Sequence, residues 1–323
     1  MSNDVAVVIE QREGMIVEVS FEMLAKGREL ATAAGGRLVA VLAGHDVKKL
    51  AAELGAADAL ALVEHEALAH YTPEAYERAV AEALRALEPR VTLVASTSMG
   101  LDQAGGLSVT LGWPLCAYCR DVRLEEGTLV AVSQIYGGKL MAEARVAGDR
   151  AICAVLPGAV SAAAGRVSGS PALHEIPAPG LGSPRIRFKR LIQPEGGDVD
   201  ITRASLLVSV GRGIQSRDNI PVVEELAQAL GGVLSASRPI VDQGWLPKTR
   251  QVGKSGMSVK PKLYLAVGIS GAPEHIEGMR GAELIVAINI DPNAPIFDVA
   301  HYGVVSDLFD VLPLLTEKIK SKT

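Results

Sequence analysis

Aromatic side chains are scarce, at 4% of the 323 residues, although 48% of the chain is hydrophobic. A core with so little Phe, Tyr and Trp must be built from Ala, Val and Leu packed between helices and sheets, which points to α/β layers rather than an aromatic-cored sandwich. Cysteine is also sparse. Three cysteines cannot make a disulfide framework; Cys116-Ala-Tyr-Cys119 has the spacing of a redox or metal pair, but only Cys153 remains toward the four ligands of a structural zinc. They read as small buried apolar residues, and no metal is expected. No apolar run approaches the ~20 residues needed to cross a bilayer, and Asp4 and Glu10 interrupt the N-terminus where a signal peptide would be apolar. The expectation is a cytoplasmic chain that does not span a membrane. With 32 basic against 37 acidic residues and no basic clusters interleaved with aromatics, nucleic acid is not expected as a partner.

Strand and helix patterns alternate through the first 95 residues. Apolar runs at Val5–Ile9, Leu38–Leu42, Ala59–Val63 and Val91–Ala95 predict a parallel sheet. A helix from Phe21 to Ala34 should stop at Gly35-Gly36, and Thr72 should cap a helix running from Pro73 to about Leu87. Leu129–Tyr136 and Leu140–Val146, joined by Gly137-Gly138, predict an antiparallel hairpin. Between Pro157 and Pro184 five prolines and five glycines suggest a linker wrapping a surface, and Arg185–Leu191 alternates like a half-exposed strand. The βα alternation resumes at Leu206–Val210, Leu263–Val267 and Leu284–Ile288, with a helix over Pro221–Leu230. At this length two domains are expected, residues 1–185 and 199–323, each a mainly parallel sheet flanked by helices and the second of Rossmann-like type.

Glycine-rich segments follow the strands of the second domain, where backbone must come close to a ligand. Gly211-Arg-Gly213-Ile-Gln-Ser216 is a truncated dinucleotide turn. The acidic residue that would hold a NAD ribose is missing about twenty positions on, while Arg238 could hold a 2′-phosphate, which keeps an NADP-dependent dehydrogenase open. Gly253-Lys254-Ser255 imitates the end of a phosphate-binding loop, but Lys248 stands where that loop needs its first glycine. Gly268-Ile-Ser270-Gly271 and Asn289 put bare amides and polar groups at the carboxyl ends of adjacent strands, a setting for pyrophosphate. A non-redox adenine-nucleotide-binding module would use the same features.

These segments occur in the order found in the α subunits of electron-transfer flavoproteins: a Gly-Arg-Gly turn, Ser237-Arg238, Gln251-Val-Gly-Lys-Ser255-Gly, Gly268-Ile-Ser-Gly-Ala-Pro-Glu-His275, Ala287-Ile-Asn289-Ile-Asp291-Pro and Tyr302-Gly-Val-Val-Ser-Asp307-Leu308-Phe. The chain resembles that family closely over its last 120 residues or so and more loosely before them. The resemblance implies FAD in the second domain. It carries the family's contacts to Arg212 after the first strand, to Ser237 and Arg238 after the second, and to Gln251, Val252, Gly253, Lys254 and Ser255 in the following loop. It carries them also to Ser270, Gly271, Ala272, Pro273, Glu274 and His275, then to Asn289, Asp307 and Leu308. Arg238, Ser255 and His275 are implied at the isoalloxazine, Ser270 and Gly271 at the pyrophosphate, Asp307 and Leu308 toward adenosine. Lys254 stands where Gln is usual and Pro273-Glu274 where Ile-Gln is usual, changes that bear on the flavin potential. The implied role is an electron carrier rather than an enzyme with its own substrate. It would be paired with an electron-transfer flavoprotein β subunit through the first domain, taking electrons from flavin dehydrogenases and passing them on, for example to a quinone reductase. Whether the pair also bifurcates electrons is left open.

Overall fold

The computed structural model describes residues 2–178, 180, 181, 185–191 and 199–321. The chain divides into two compact units, Met1–Arg190 and Leu191–Thr323. Both are α/β, with parallel strands dominating, as the composition led us to expect.

The first unit runs β1 (Val5–Val8), β2 (Gln11–Arg12), β3 (Met15–Ile16), α1 (Glu18–Ala34), β4 (Leu38–Gly44), β5 (Ala59–Glu64), α2 (Pro73–Leu87), β6 (Val91–Ala95), α3 (Ser98–Leu111), β7 (Leu115–Glu125), β8 (Thr128–Ile135), β9 (Leu140–Arg145), β10 (Ala151–Val155) and β11 (Ala172–Glu175). Its nine-stranded sheet has the order β11-β5-β4-β1-β6-β10-β7-β8-β9, parallel up to β7 and antiparallel beyond it. Alternation along a strand sends neighbouring side chains to opposite faces. Val5 and Val7 of β1 therefore join α1 residues such as Met23 and Leu24 in one core, and Ala6 and Val8 join Val80, Leu84 and Leu107 of α2 and α3 in the other. Gly27 lets α1 lie close on the sheet, because a Cβ there would come within 2.7 Å of Leu38 and Val7 side-chain atoms. α1 ends at Gly35, whose φ of 65° is the left-handed cap conformation.

Thr72 takes the N-cap position of α2 as expected, although its hydroxyl makes no capping hydrogen bond. Two other expectations are corrected in this unit. The glycine- and proline-rich stretch is not simply a linker, since β11 within it pairs with β5 at the sheet edge; residues 179 and 182–184 of that stretch lie outside the described residues. Arg185–Leu191 is not a strand: its backbone takes no strand pairing, and Phe188 instead stacks on His70 at 3.8 Å between ring centroids. The hairpin does form between β8 and β9, with its turn starting at Tyr136. Cys119 and Cys153 are buried in the first core and Cys116 packs against it.

The second unit runs β12 (Leu206–Val210), α4 (Ile220–Ala229), β13 (Val233–Ala236), α5 (Arg238–Asp242), β14 (Leu263–Val267), α6 (Pro273–Met279), β15 (Leu284–Asn289), β16 (Tyr302–Val305) and α7 (Leu308–Lys320). All five strands are parallel, in the order β13-β12-β14-β15-β16. The direction of strand addition reverses between β12 and β14, the crevice where doubly wound sheets take ligands. Val208 and Val210 pack toward α4 and α7, and Leu207 and Tyr264 pack on the opposite side with Met279 of α6.

Candidate functional site

Because all five strands of the second unit are parallel, their carboxyl ends share one edge, and the segments that follow β12, β13, β14, β15 and β16 leave from it. β12 runs into Gly211-Arg212-Gly213, and β14 into Gly268-Ile269-Ser270-Gly271. These two turns are tied at the crevice: the Gly211 amide donates to the Val267 carbonyl (2.8 Å) and the Gly213 amide to the Gly268 carbonyl (3.0 Å). The approach demands glycine, since a Cβ on Gly213 would lie 2.7 Å from the Gly268 Cα. Arg212, between the two glycines, is exposed.

After β13, Ser237 is buried at the head of the short α5, and Arg238 opens that helix with its side chain 67% exposed and its Nε 3.1 Å from Asp242 Oδ2. The next loop is anchored beside the same strand end. Gln251 bridges Ala236 in parallel, and the Val252 amide donates to the Ala236 carbonyl at 2.9 Å. Gly253 turns with φ 136°, and the Lys254 amide donates to the Glu274 carbonyl at 2.7 Å, which joins this loop to α6. Lys254 Nζ stands 3.9 Å from Glu277 Oε2. Gln251 Nε2 donates to Ser255 Oγ at 2.9 Å, which leaves the Ser255 proton for another acceptor.

Past β14 the amides of Ser270, Gly271 and Ala272 donate to no acceptor among the described residues. Gly271 has φ 86°, and a Cβ there would sit 2.2 Å from the Ile296 amide nitrogen. The turn is held open from the other side, since the Ile296 amide donates to the Ser270 carbonyl (3.0 Å). Pro273 and Glu274 start α6. Bare amides around tight glycine turns, with Arg212 and Arg238 at the same edge, suit a pyrophosphate-bearing group.

His275 follows, buried, with Nε2 2.9 Å from the Tyr264 hydroxyl. Burial lowers its pKa to about 4, against the Val252 backbone, which favours the protonated ring. His275 is therefore a neutral imidazole at neutral pH. Asn289 ends β15, where Nδ2 donates to the Ile269 carbonyl (2.8 Å) and Oδ1 accepts from the Asp291 amide (3.0 Å), with a second N–H left over. It ties neighbouring loops together. Asp307 Oδ1 caps α7 by accepting from the Phe309 amide (2.9 Å), and Leu308 is buried in the core beside α4. Leu308 thus acts there by packing.

The partner of His275 is the residue that sequence reasoning missed. Tyr264 lies inside the run Leu263–Val267 and reads as core; only its hydroxyl, which must find a partner when buried, signalled another role.

The profile of the electron transfer flavoprotein domain matches residues 5–181, and that of the electron transfer flavoprotein FAD-binding domain matches residues 200–280. The chain is 39% identical to an electron transfer flavoprotein subunit alpha of Thermoanaerobacterium thermosaccharolyticum, with 98% of each chain covered. It is 37% identical to the protein FixB of Azotobacter vinelandii, over 98% of this chain and 91% of that one. A third relative, 34% identical over 98% of this chain and 95% of its own, is the acryloyl-CoA reductase electron transfer subunit beta of Anaerotignum propionicum. Among the described residues no helix is long and apolar enough to cross a membrane. Glycine turns, bare amides and full-length similarity converge on one conclusion: the chain belongs to the electron transfer flavoprotein α-subunit family, is one subunit of a heterodimer, and binds FAD.

Proposed function

We propose that FAD lies along the carboxyl edge of the second sheet, with its pyrophosphate on the Ser270–Ala272 amides and its ring near Arg238, Ser255 and His275. The observation that carries this reading is the convergence of five parallel strand ends on an edge whose amides are unused and whose arginines are exposed. Bound there, FAD supplies one-electron acceptance and donation. The chain's own groups do the rest. The amides and Arg212 neutralise the phosphates, Arg238 places a positive charge toward the ring, and Ser255 offers a hydroxyl proton already oriented by Gln251. Asn289 and Asp307 hold the loops and α7 in register beneath the site.

The carrier takes electrons from flavin dehydrogenases and passes them to an acceptor such as a quinone reductase, in the cytoplasm, where its free thiols stay reduced. Residues 1–185 provide the β-subunit interface. The β8–β9 hairpin supports this, because Ile135, Tyr136, Leu140 and Met141 expose apolar surface at its tip, Tyr136 by 76%. Replacing Ser270 by Asp tests the placement of the cofactor: a carboxylate against the phosphates should strip FAD from the purified α/β complex while circular dichroism stays unchanged. Full FAD content in that variant would move the pyrophosphate elsewhere.

A further inference from the structure

In the first unit, two arginines stand together at the amino ends of neighbouring strands. Arg90 precedes β6 and Arg150 precedes β10; these strands pair in parallel with Val91 beside Ala151, and the Ala151 amide donates to the Arg90 carbonyl at 3.1 Å. Two guanidiniums therefore start side by side, where like charges destabilise a sheet. Both line one cavity of about 340 Å³, together with Gly127, Thr128, Gly148 and Asp149.

The chain does not discharge this pair by itself. Asp4, the acid nearest Arg90 by strand register, gives its carboxylate to Arg37 at 2.7 Å. Arg90 is half-buried, and among the described residues its guanidinium reaches only a neutral acceptor, the Gly127 carbonyl. It keeps a full charge and unused N–H groups in a partly dry setting, which costs free energy until an acceptor arrives. Arg150 is held more firmly. Its Nη2 lies 3.0 Å from Glu88 Oε1, and its guanidinium stands 5.6 Å from the centre of the Trp113 ring, which fixes the direction of the fork. Glu88 is 61% exposed, so solvent screens that ion pair and leaves much of the Arg150 charge to act on the cavity. Asp149 is exposed and pairs with neither guanidinium among the described residues. Next to it Gly148 turns with φ 97°, and the amides of Gly148 and Asp149 have no acceptor among the described residues.

We propose that this cavity is a binding site for a small oxyanion, a phosphate or carboxylate group held between the Arg90 and Arg150 guanidiniums. The Thr128 hydroxyl and the Gly148 and Asp149 amides supply further donors. An anion between the two arginines turns their mutual repulsion into attraction, and each guanidinium fork matches two oxygens of such a group at once. The volume is at the low end for ligand sites and fits a small acid or phosphate ester. The site belongs to the first unit and does not depend on where FAD lies in the second. Asp149 works against the anion from the exposed loop, so occupancy should fall as ionic strength rises and rise when that carboxylate is removed.

The test titrates inorganic phosphate and, separately, succinate against the FAD-loaded α/β complex in a chloride buffer of low ionic strength, read by the phosphorus resonance of one anion and the proton resonance of the other. Saturable binding of at least one is expected, and the tighter of the two tells a phosphate ester from a carboxylic acid as the class of ligand. Arg90→Gln should weaken that binding by about tenfold or more, as the loss of a charge-assisted hydrogen bond does. Arg150→Gln should act in the same direction, and Asp149→Asn should tighten binding. Flavin content should stay at the wild-type level in all three variants, which separates this site from the one that holds the phosphates of FAD. No saturable binding of either anion to the wild type overturns the proposal. So does binding that all three variants leave unchanged, the mark of an adventitious ion only. Should Arg90→Gln fold poorly, Asp149→Asn on its exposed loop decides: tighter binding upholds the site, and unchanged affinity removes it. A complex that never binds FAD would contradict the proposed function alone, because the anion is read independently of the flavin.

Discussion

On the FAD placement proposed above, an exposed guanidinium and a buried neutral imidazole would act on the flavin by different means. Arg238 contributes a charge; a hydrogen bond to a charged group is worth about 1.5–3 kcal/mol, roughly 60–130 mV for a one-electron couple. Because its side chain is two-thirds exposed, solvent screening places the effect at the lower end. Arg238→Ala should therefore make the first reduction potential more negative by roughly 60 mV, with FAD still bound, as read by spectroelectrochemical titration. An unchanged potential removes Arg238 from the ring's surroundings. His275 makes a stability prediction as well. Its folded pKa of about 4 lies below the ordinary value of 6.5, so the unfolded chain binds the extra proton. The stabilisation is present above pH 6.5 and is lost as pH falls from there through 4. Over that window the loss amounts to a few kcal/mol. Urea unfolding at pH 7 and pH 4.5 should show a steeper acid loss for the wild type than for His275→Gln, and equal slopes would mean the ring is solvated.

At the scale of elements, the turn after β14 is the most constrained piece of the site. Gly271 combines a left-handed φ with an approach to the Ile296 backbone that leaves no room for a Cβ. Gly271→Ala should cost on the order of 2–4 kcal/mol from conformation and displacement together, lower the melting temperature, and reduce FAD content. A variant with wild-type melting and flavin would show that the turn can relax. The cysteines make the opposite prediction. Cys116 and Cys119 line a packed core, so replacing both by Ala should leave flavin content and electron transfer nearly unchanged. Loss of transfer with the fold intact would give the pair a redox role.

The same scale shows what could be read from the residues. β1, β4, β5, β6, β12, β14 and β15 were legible because central parallel strands are covered on both faces and so appear as unbroken apolar runs ending in turn residues. β11 and β16 were not, since both are exposed edge strands whose sequences, Ala-Leu-His-Glu and Tyr-Gly-Val-Val, carry no such run. Nor was β7, where a register shift near Cys119 and a positive φ at Tyr118 break the period-2 pattern. α3 hides behind Gly100, Gly105 and Gly106, residues poor in helix propensity; Gly100 is needed because a Cβ there would overlap the Ala95 carbonyl. The loops of the site announced themselves through glycine, whereas Tyr264 looked like any other large residue in a core strand.

The whole molecule joins a unit whose exposed hairpin suits a partner to a unit whose strand ends suit a cofactor. Changing Leu140 and Met141 to Asp should block association with the β subunit while the isolated chain keeps its melting temperature, because both side chains are exposed and make no core contact. Size-exclusion chromatography of the co-expressed pair would show it, and an unaltered heterodimer would place the interface elsewhere. The most direct measurement of the central claim is to purify the α/β complex, cleave it between the two units of this chain, and follow the flavin by absorbance. The account predicts a yellow complex whose α-chain FAD stays with the fragment containing residues 199–321. Flavin found only with the fragment ending near Arg190, or a colourless complex that takes up no FAD, would contradict it.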